Sequence, residues 1–183
     1  KAGTISELSE AAHNLGFPLV LKGEGIAHKT EAGAVVVGIT DIAGLHAAAR
    51  AMPTERFLVE QMITDVTAEL LIGVVLDPVH GYVLTVAAGG TLAEILGDSA
   101  SMMLPVLADD IRTALAGLRI APVLQGYRGA RPVDMDAIID AVMAVQSYVL
   151  AQTPFEMEIN PLMCSPNKAI AADALITTGE RHD

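Results

Sequence analysis

Apolar positions along the chain alternate between two spacings, and each change of spacing marks an element. In "TISELSEAAHNLG" (residues 4–16), Ile5, Leu8, Ala12 and Leu15 form one helical stripe, Thr4 and Glu7 have capping-box spacing, and Gly16 ends the run. "PLVLK" and "AVVVGI" predict two short buried strands. "TDIAGLHAAARAM" returns to helical spacing, with Asp41 as cap and Ile42, Leu45, Ala49 and Met52 turned inward. "RFLVEQMI" predicts a third strand. The first 63 residues thus predict a small α/β layer.

The pattern then changes. "AELLIGVVLDPVHGYVLTVAAGG" predicts two strands joined by the turn "DPVHG", and "TLAEIL" and "ASMMLPV" two shorter ones. Helical spacing runs from Asp109 to about Gly117 and again through "DMDAIIDAVMAVQSYVLA", where Ile138, Val142, Val145 and Val149 face inward. "FEMEINPLMC" and "KAIAADALI" predict a hairpin around "SPNK". There is no internal repeat or low-complexity tract. The expected organisation is a small layer over residues 1–63 and a mixed body over residues 64–183, with the boundary between Thr64 and Thr67, and the expected class is α+β (mixed α/β).

Composition narrows the function. The chain is 52% hydrophobic and 18% charged, as a globular protein is, and its 3% aromatic content leaves the core to Ala, Val, Leu, Ile and Met. A net charge of -11 argues against a general nucleic-acid binder, although it permits a local basic pocket. Cys164 is the single cysteine, so no intrachain disulfide forms; this fits a reducing cytosol, and the residue is expected to be buried at a strand end. No apolar run reaches the ~18 residues of a membrane span, and the N-terminus lacks a signal-peptide profile. The expected location is therefore cytoplasmic. The chain begins at Lys1 and reads as a piece of a longer polypeptide.

Two clusters carry candidate chemistry. Lys22 ends an apolar strand, where it either snorkels to solvent or reaches a phosphate beyond the strand's carboxyl end. The loop after it offers backbone N–H groups at Gly23, Gly25 and Gly33, with His28 and Lys29 near its tip. His28 is either solvated or a nucleophile that carries a phosphoryl group. The loop is not a P-loop, because GxxxxGK[ST] is absent. In "FEMEINPL", strand alternation puts Glu156, Glu158 and Asn160 on one face and Met157 and Ile159 on the other, and Asp173 arrives on the partner strand. These oxygen donors either line a solvated face or hold a hard cation such as Mg²⁺. Glu60 is surface or a contact to a base or ribose. Glu94 and Asp98 are further oxygen donors, and Arg128 in "GYRG" is either a phosphate clamp or a plain loop residue.

Taken in order, "LVLK", "AHKTEAGAV", "FLVEQMI", "AELLIGVVLDPVHG", "AAGGTLAEILGD", "GYRG", "EINPL" and "AADA" strongly resemble the ATP-grasp domain of NDP-forming (ADP-forming) acyl-CoA synthetases. The chain is more distantly similar to the succinyl-CoA synthetase β-subunit. The resemblance covers nearly the whole chain. It implies an ATP-grasp fold with a nucleotide, ATP or ADP, sandwiched between two α+β subdomains. It implies that Lys22 contacts phosphates and that Glu60 and the main chain of Gln61 and Met62 hold the adenosine part; Gly23 and Arg128, read from the loop chemistry above, are expected as further nucleotide contacts. It further implies that Asn160 and Asp173 bind Mg²⁺, that His28 accepts and passes on a phosphoryl group, and that Glu158 steadies the phosphohistidine. The implied partners are CoA-binding and CoA-ligase domains, on the same polypeptide or another subunit, with neither nucleic acid nor membrane. An acidic protein that handles a polyanion needs such a local concentration of cations and main-chain donors. At cellular pH, an unperturbed histidine pKa of about 6.5 leaves a neutral nucleophilic nitrogen.

The chain departs from the family at two positions. Ala34 stands where a second adjacent glycine is common and is expected to stiffen the loop; Ala87 also replaces a glycine and is expected to crowd a ligand. Three rival readings use the same residues: a regulatory nucleotide-binding domain of a synthetase-like protein acetyltransferase, an ATP-grasp ligase forming an acyl phosphate directly, and a scaffold that binds no nucleotide.

Overall fold

The computed structural model describes residues 2–3, 7–26, 32–90 and 97–179. The chain divides into two units, Lys1–Thr64 and Asp65–Asp183. Among the described residues, no helix is long and apolar enough to cross a membrane.

The first unit is a four-stranded antiparallel sheet in the order β1-β4-β2-β3. Its strands are β1 (Ala2–Gly3), β2 (Leu19–Gly23), β3 (Val35–Ile39) and β4 (Phe57–Gln61). Helices α1 (Leu8–Leu15) and α2 (Ile42–Ala51) close one face over Leu19, Leu21, Phe57 and Val59, which are buried with Leu8, Ala12, Leu45 and Ala49. Each such fully buried large aliphatic side chain contributes about 1.5–3 kcal/mol. Asp41 caps α2 as expected, its Oδ1 accepting the Gly44 N–H at 2.7 Å. Ile42 in the first turn is 36% exposed, so the inward stripe begins at Leu45. The start of α1 differs from the expectation: the helix follows Glu7, which makes no side-chain cap, while Thr4 and Ile5 lie outside the described residues. Between Leu19 and Leu21 the register shifts, so that three steps along β3 match two along β2. Gly38, at φ +73°, accommodates the resulting bulge.

The second unit holds a six-stranded sheet. Its path is β10-β8-β5-β6-β7, with β9 also paired to β8. The strands are β5 (Ala68–Asp77), β6 (Gly81–Ala88), β7 (Ser99–Met103), β8 (Glu156–Cys164), β9 (Ala169–Ala171) and β10 (Ala174–Thr177). Helices α3 (Ala108–Gly117), α4 (Ala121–Leu124) and α5 (Met135–Gln152) supply Ile111, Leu115, Leu124, Ile138, Val142, Val145 and Val149 to one core with Leu70, Ile72, Val74, Leu84, Val86, Met157 and Ile159. The four inward residues expected on α5 are all buried. The β5–β6 hairpin turns at Asp77–Gly81, where Asp77 Oδ1 accepts the Val79 and His80 N–H groups at 2.8 Å each.

Three local expectations change in this unit. "KAIAADALI" is broken into β9 and β10 at Ala172–Asp173, beside the point where β8 shifts register against β5. "ASMMLPV" forms a strand only as far as Met103, and Pro105 beyond it has no N–H for a ladder. "TLAEIL" lies outside the described residues. Asp98, expected as an open oxygen donor, is instead 8% exposed and accepts the Arg119 and Ile120 N–H groups at 2.7 and 3.0 Å, which fixes the entry to α4.

Candidate functional site

In the first unit the site is built on the sheet face turned away from α1 and α2. Leu19 and Leu21 occupy the buried face of β2, so alternation sends Lys22 to the other. Val20 pairs with Glu60 and Lys22 with Leu58, which makes Lys22 and Glu60 diagonal neighbours on that face. Their charged atoms lie 2.6 Å apart, with the lysine side chain 12% and the glutamate side chain 36% exposed. A cation is therefore held at a defined place near the strand's carboxyl end.

The main chain around it is partly committed to the fold. Gly23 donates its N–H to the Ala34 carbonyl at 2.8 Å, so the expectation of a free donor there is corrected. The glycine is required by packing: a Cβ would lie 2.8 Å from Thr54 Cγ2 and 3.2 Å from the Ala34 methyl. Ala34, fully buried, thus closes against Gly23. Met62 likewise donates its N–H, to the Pro18 carbonyl at 2.9 Å, which leaves its carbonyl for any contact beyond the sheet. Gln61 ends β4 with an exposed side chain. His28 and Lys29 lie outside the described residues, as does Glu94 of the second unit.

In the second unit Met157 and Ile159 enter the core, and Glu156, Glu158 and Asn160 take the opposite face of β8. The pairing of β8 with β9 and with β10 follows one register, which sets Asn160 opposite Asp173; the Asn160 N–H donates to the Asp173 carbonyl at 3.2 Å. Against β5 the register shifts by one residue at Asn160–Pro161, so the buried positions resume at Leu162 and Cys164. Asn160 Nδ2 donates to Glu158 Oε1 at 3.2 Å, which orients the amide and leaves its Oδ1 as an acceptor. Asp173 Oδ1 accepts the Ala174 N–H at 3.0 Å.

Two carboxylates and an amide oxygen on one face form a hard-oxygen donor set. Among the described residues, no group of three or more His, Cys, Asp or Glu gathers as a closed metal cage. Oxygen donors of this type are ones Mg²⁺ accepts, since it takes one or two carboxylates and completes its shell with water and ligand phosphates. Arg128 sits elsewhere in this unit, at φ 51° in an exposed turn, its guanidinium 5.3 Å from the centre of the Tyr127 ring. A row of cross-strand partners beside Glu158 runs through Gly73, Thr85 and Ser101 and was not expected from the sequence. Alternation in each strand was the signal that could have found it.

Residues 1–178 match the ATP-grasp domain family. The chain is 27% identical to acetate–CoA ligase [ADP-forming] II of Archaeoglobus fulgidus; the match covers 97% of the chain and 27% of that protein, so the chain spans about a quarter of its length. It is 29% identical to the β-subunit of the corresponding Pyrococcus furiosus ligase, over 96% of the chain and 81% of the subunit. Among solved structures, acetyl-coenzyme A synthetase 1 of Ca. Korarchaeum cryptofilum, in complex with coenzyme A and Mg-AMPPCP, superposes with a TM-score of 0.83 and 26% identity, covering 98% of this chain and 84% of that one.

Proposed function

Because this chain belongs to the ATP-grasp domain family, we propose that it is the nucleotide-binding part of an NDP-forming acyl-CoA synthetase, which interconverts acyl-CoA, ADP and phosphate with free acid, CoA and ATP through a phosphohistidine. The observation that carries this reading is the donor set of Glu158, Asn160 and Asp173 on adjacent strands. Its relatives are ADP-forming ligases of acids to CoA, one of them a separate β-subunit, which supports a division of labour. This chain handles nucleotide, while CoA-binding and CoA-ligase domains, on the same polypeptide or another subunit, handle the thioester. A cytoplasmic setting accords with that chemistry.

Each residue has a stated task. Lys22, held by Glu60, presents a point charge to phosphate oxygens, and Arg128 is a further candidate for the polyanion. Glu60, Gln61 and the Met62 carbonyl contact the adenosine part. Asn160 Oδ1 and Asp173 hold Mg²⁺, which when bound offsets phosphate charge. Glu158 positions the Asn160 amide and steadies the phosphohistidine. His28 passes the phosphoryl group between the partner domains and the nucleotide; as donor to ADP, its phosphorus–nitrogen bond breaks as a terminal ADP oxygen bonds to phosphorus.

The test is calorimetric titration of Mg-ATP into the chain, followed by labelling with γ-labelled ATP once partner domains are supplied. The expected results are binding, acid-labile label on the protein, and complete loss of label in His28→Ala with nucleotide affinity retained. Absence of Mg-ATP binding overturns the proposal. Full activity in His28→Ala overturns the phosphohistidine step and favours a direct acyl phosphate.

A further inference from the structure

Gly73 stands near the middle of β5, a strand paired on both sides, by β6 and β8. A glycine in a strand interior weakens it, so its presence has a cause. Several other glycines in and beside the strands have causes within the fold. Gly38, Gly81 and Gly126 adopt positive φ. Gly89 has no room for a Cβ, which would lie 2.9 Å from the Glu69 carbonyl carbon and oxygen. Gly73 has neither reason: its φ is ordinary, and a Cβ would meet nothing nearer than Leu71 Cδ2 at 3.5 Å, an ordinary contact. The fold accepts a side chain at this position.

The surroundings indicate what occupies the space. Gly73 faces away from the helical core, since Ile72 and Val74 on either side are buried in it. Its cross-strand partners are Glu158 on β8 and Thr85 on β6. Thr85 Oγ1 is bonded to Ser101 Oγ of β7 at 2.8 Å. The row therefore reads carboxylate, gap, hydroxyl, hydroxyl. One row further along β8 lies Asn160, opposite Asp173. The gap is one residue wide, floored by backbone, with carboxylate and amide oxygens on one side and a hydrogen-bonded pair of hydroxyls on the other.

We infer that Gly73 is a positioning residue, kept without a side chain so that the metal-bound phosphates of a nucleoside polyphosphate can lie against the backbone of β5, between Glu158 and the Thr85 hydroxyl. This rests on the function proposed above and extends it to a residue with no charge and no side-chain donor. Metal and phosphate together match the row: the carboxylate side takes the cation and the hydroxyl side the anionic oxygens.

Stability and binding should then move in opposite directions. Gly73→Ala adds a methyl that meets nothing nearer than 3.5 Å, and Gly73→Val adds strand propensity on the solvent-side face, so both variants should melt at or above the wild-type temperature. Mg-ATP affinity, measured by calorimetry on the same chain, should fall about tenfold or more in Gly73→Ala and further in Gly73→Val. Unchanged affinity in Gly73→Val overturns the inference and leaves the proposed function standing. A melting temperature well below wild type in both variants also overturns it, because the glycine then serves the fold. No Mg-ATP binding by the wild-type chain overturns both.

Discussion

Lys22 and Glu60 are diagonal neighbours on antiparallel strands, with their charged atoms 2.6 Å apart and the lysine largely shielded from water. Lys22→Met keeps the length of the side chain and removes the charge that faces Glu60. Because the glutamate is more than a third exposed, solvent screens the pair, and the expected loss is about 1 kcal/mol of stability. Urea unfolding checks this, and a double-mutant cycle with Glu60→Gln isolates the coupling from other contacts of Lys22. In Mg-ATP titrations the same variant is expected to lose about tenfold or more in affinity, as removal of a charge-assisted contact to phosphate implies.

Asp173 is exposed, and the bond that aligns it with Asn160 runs to its backbone carbonyl. Asp173→Asn therefore leaves the β8–β10 pairing in place, and unfolding free energies should move by no more than about 0.5 kcal/mol. The Mg²⁺ concentration that half-saturates ATP binding should rise about tenfold or more. Glu158→Gln should raise it less, because a glutamine oxygen still accepts from Asn160 Nδ2 and keeps that amide oriented. The reverse order would make Glu158, not Asp173, the direct ligand.

Gly89 and Gly117 predict opposite signs for one substitution. A Cβ at Gly89 would stand 2.9 Å from the Glu69 carbonyl and 3.0 Å from the Leu70 nitrogen, all backbone that cannot rotate away. Gly89→Ala should cost about 1–3 kcal/mol. Gly117, at the end of α3, has open space where a methyl would stand and no positive φ, so Gly117→Ala should stabilise by up to about 1 kcal/mol. Thermal melts of the two variants decide both.

The elements that follow a single spacing were legible in the sequence. Val142 and Val149 on α5, Leu45 and Ala49 on α2, and the Asp77 turn all stand where the pattern puts them. What the sequence hid are the places where spacing breaks. The register shift at Asn160–Pro161 moves the buried set from Met157 and Ile159 to Leu162 and Cys164, and nothing in the polar pattern announces it. "KAIAADALI" divides at Ala172–Asp173 beside the same point, although its pairing with β8 keeps one register through the break. Asp98 read as a free donor because its partners, the Arg119 and Ile120 amides, are more than 20 residues away in sequence. Gly73 carries no chemistry of its own and becomes visible only beside Glu158 and Thr85.

Cys164 closes the core at the end of β8, where burial raises its thiol pKa from 9.0 to about 12. The thiol should therefore resist iodoacetamide at about pH 8 in the folded chain and react on unfolding, since the thiolate is the nucleophile. The linkage has a definite sign. A raised folded pKa means the unfolded chain ionises first as pH rises, so this contribution to stability is complete below about pH 9 and is lost between pH 9 and about 12. Cys164→Ala lacks the titrating group. Its unfolding free energy should fall less steeply than that of the wild type across that window, even if it starts lower because of the lost sulfur packing. Parallel slopes for the two proteins above about pH 9 would show that the thiol ionises equally in both states and is open to solvent.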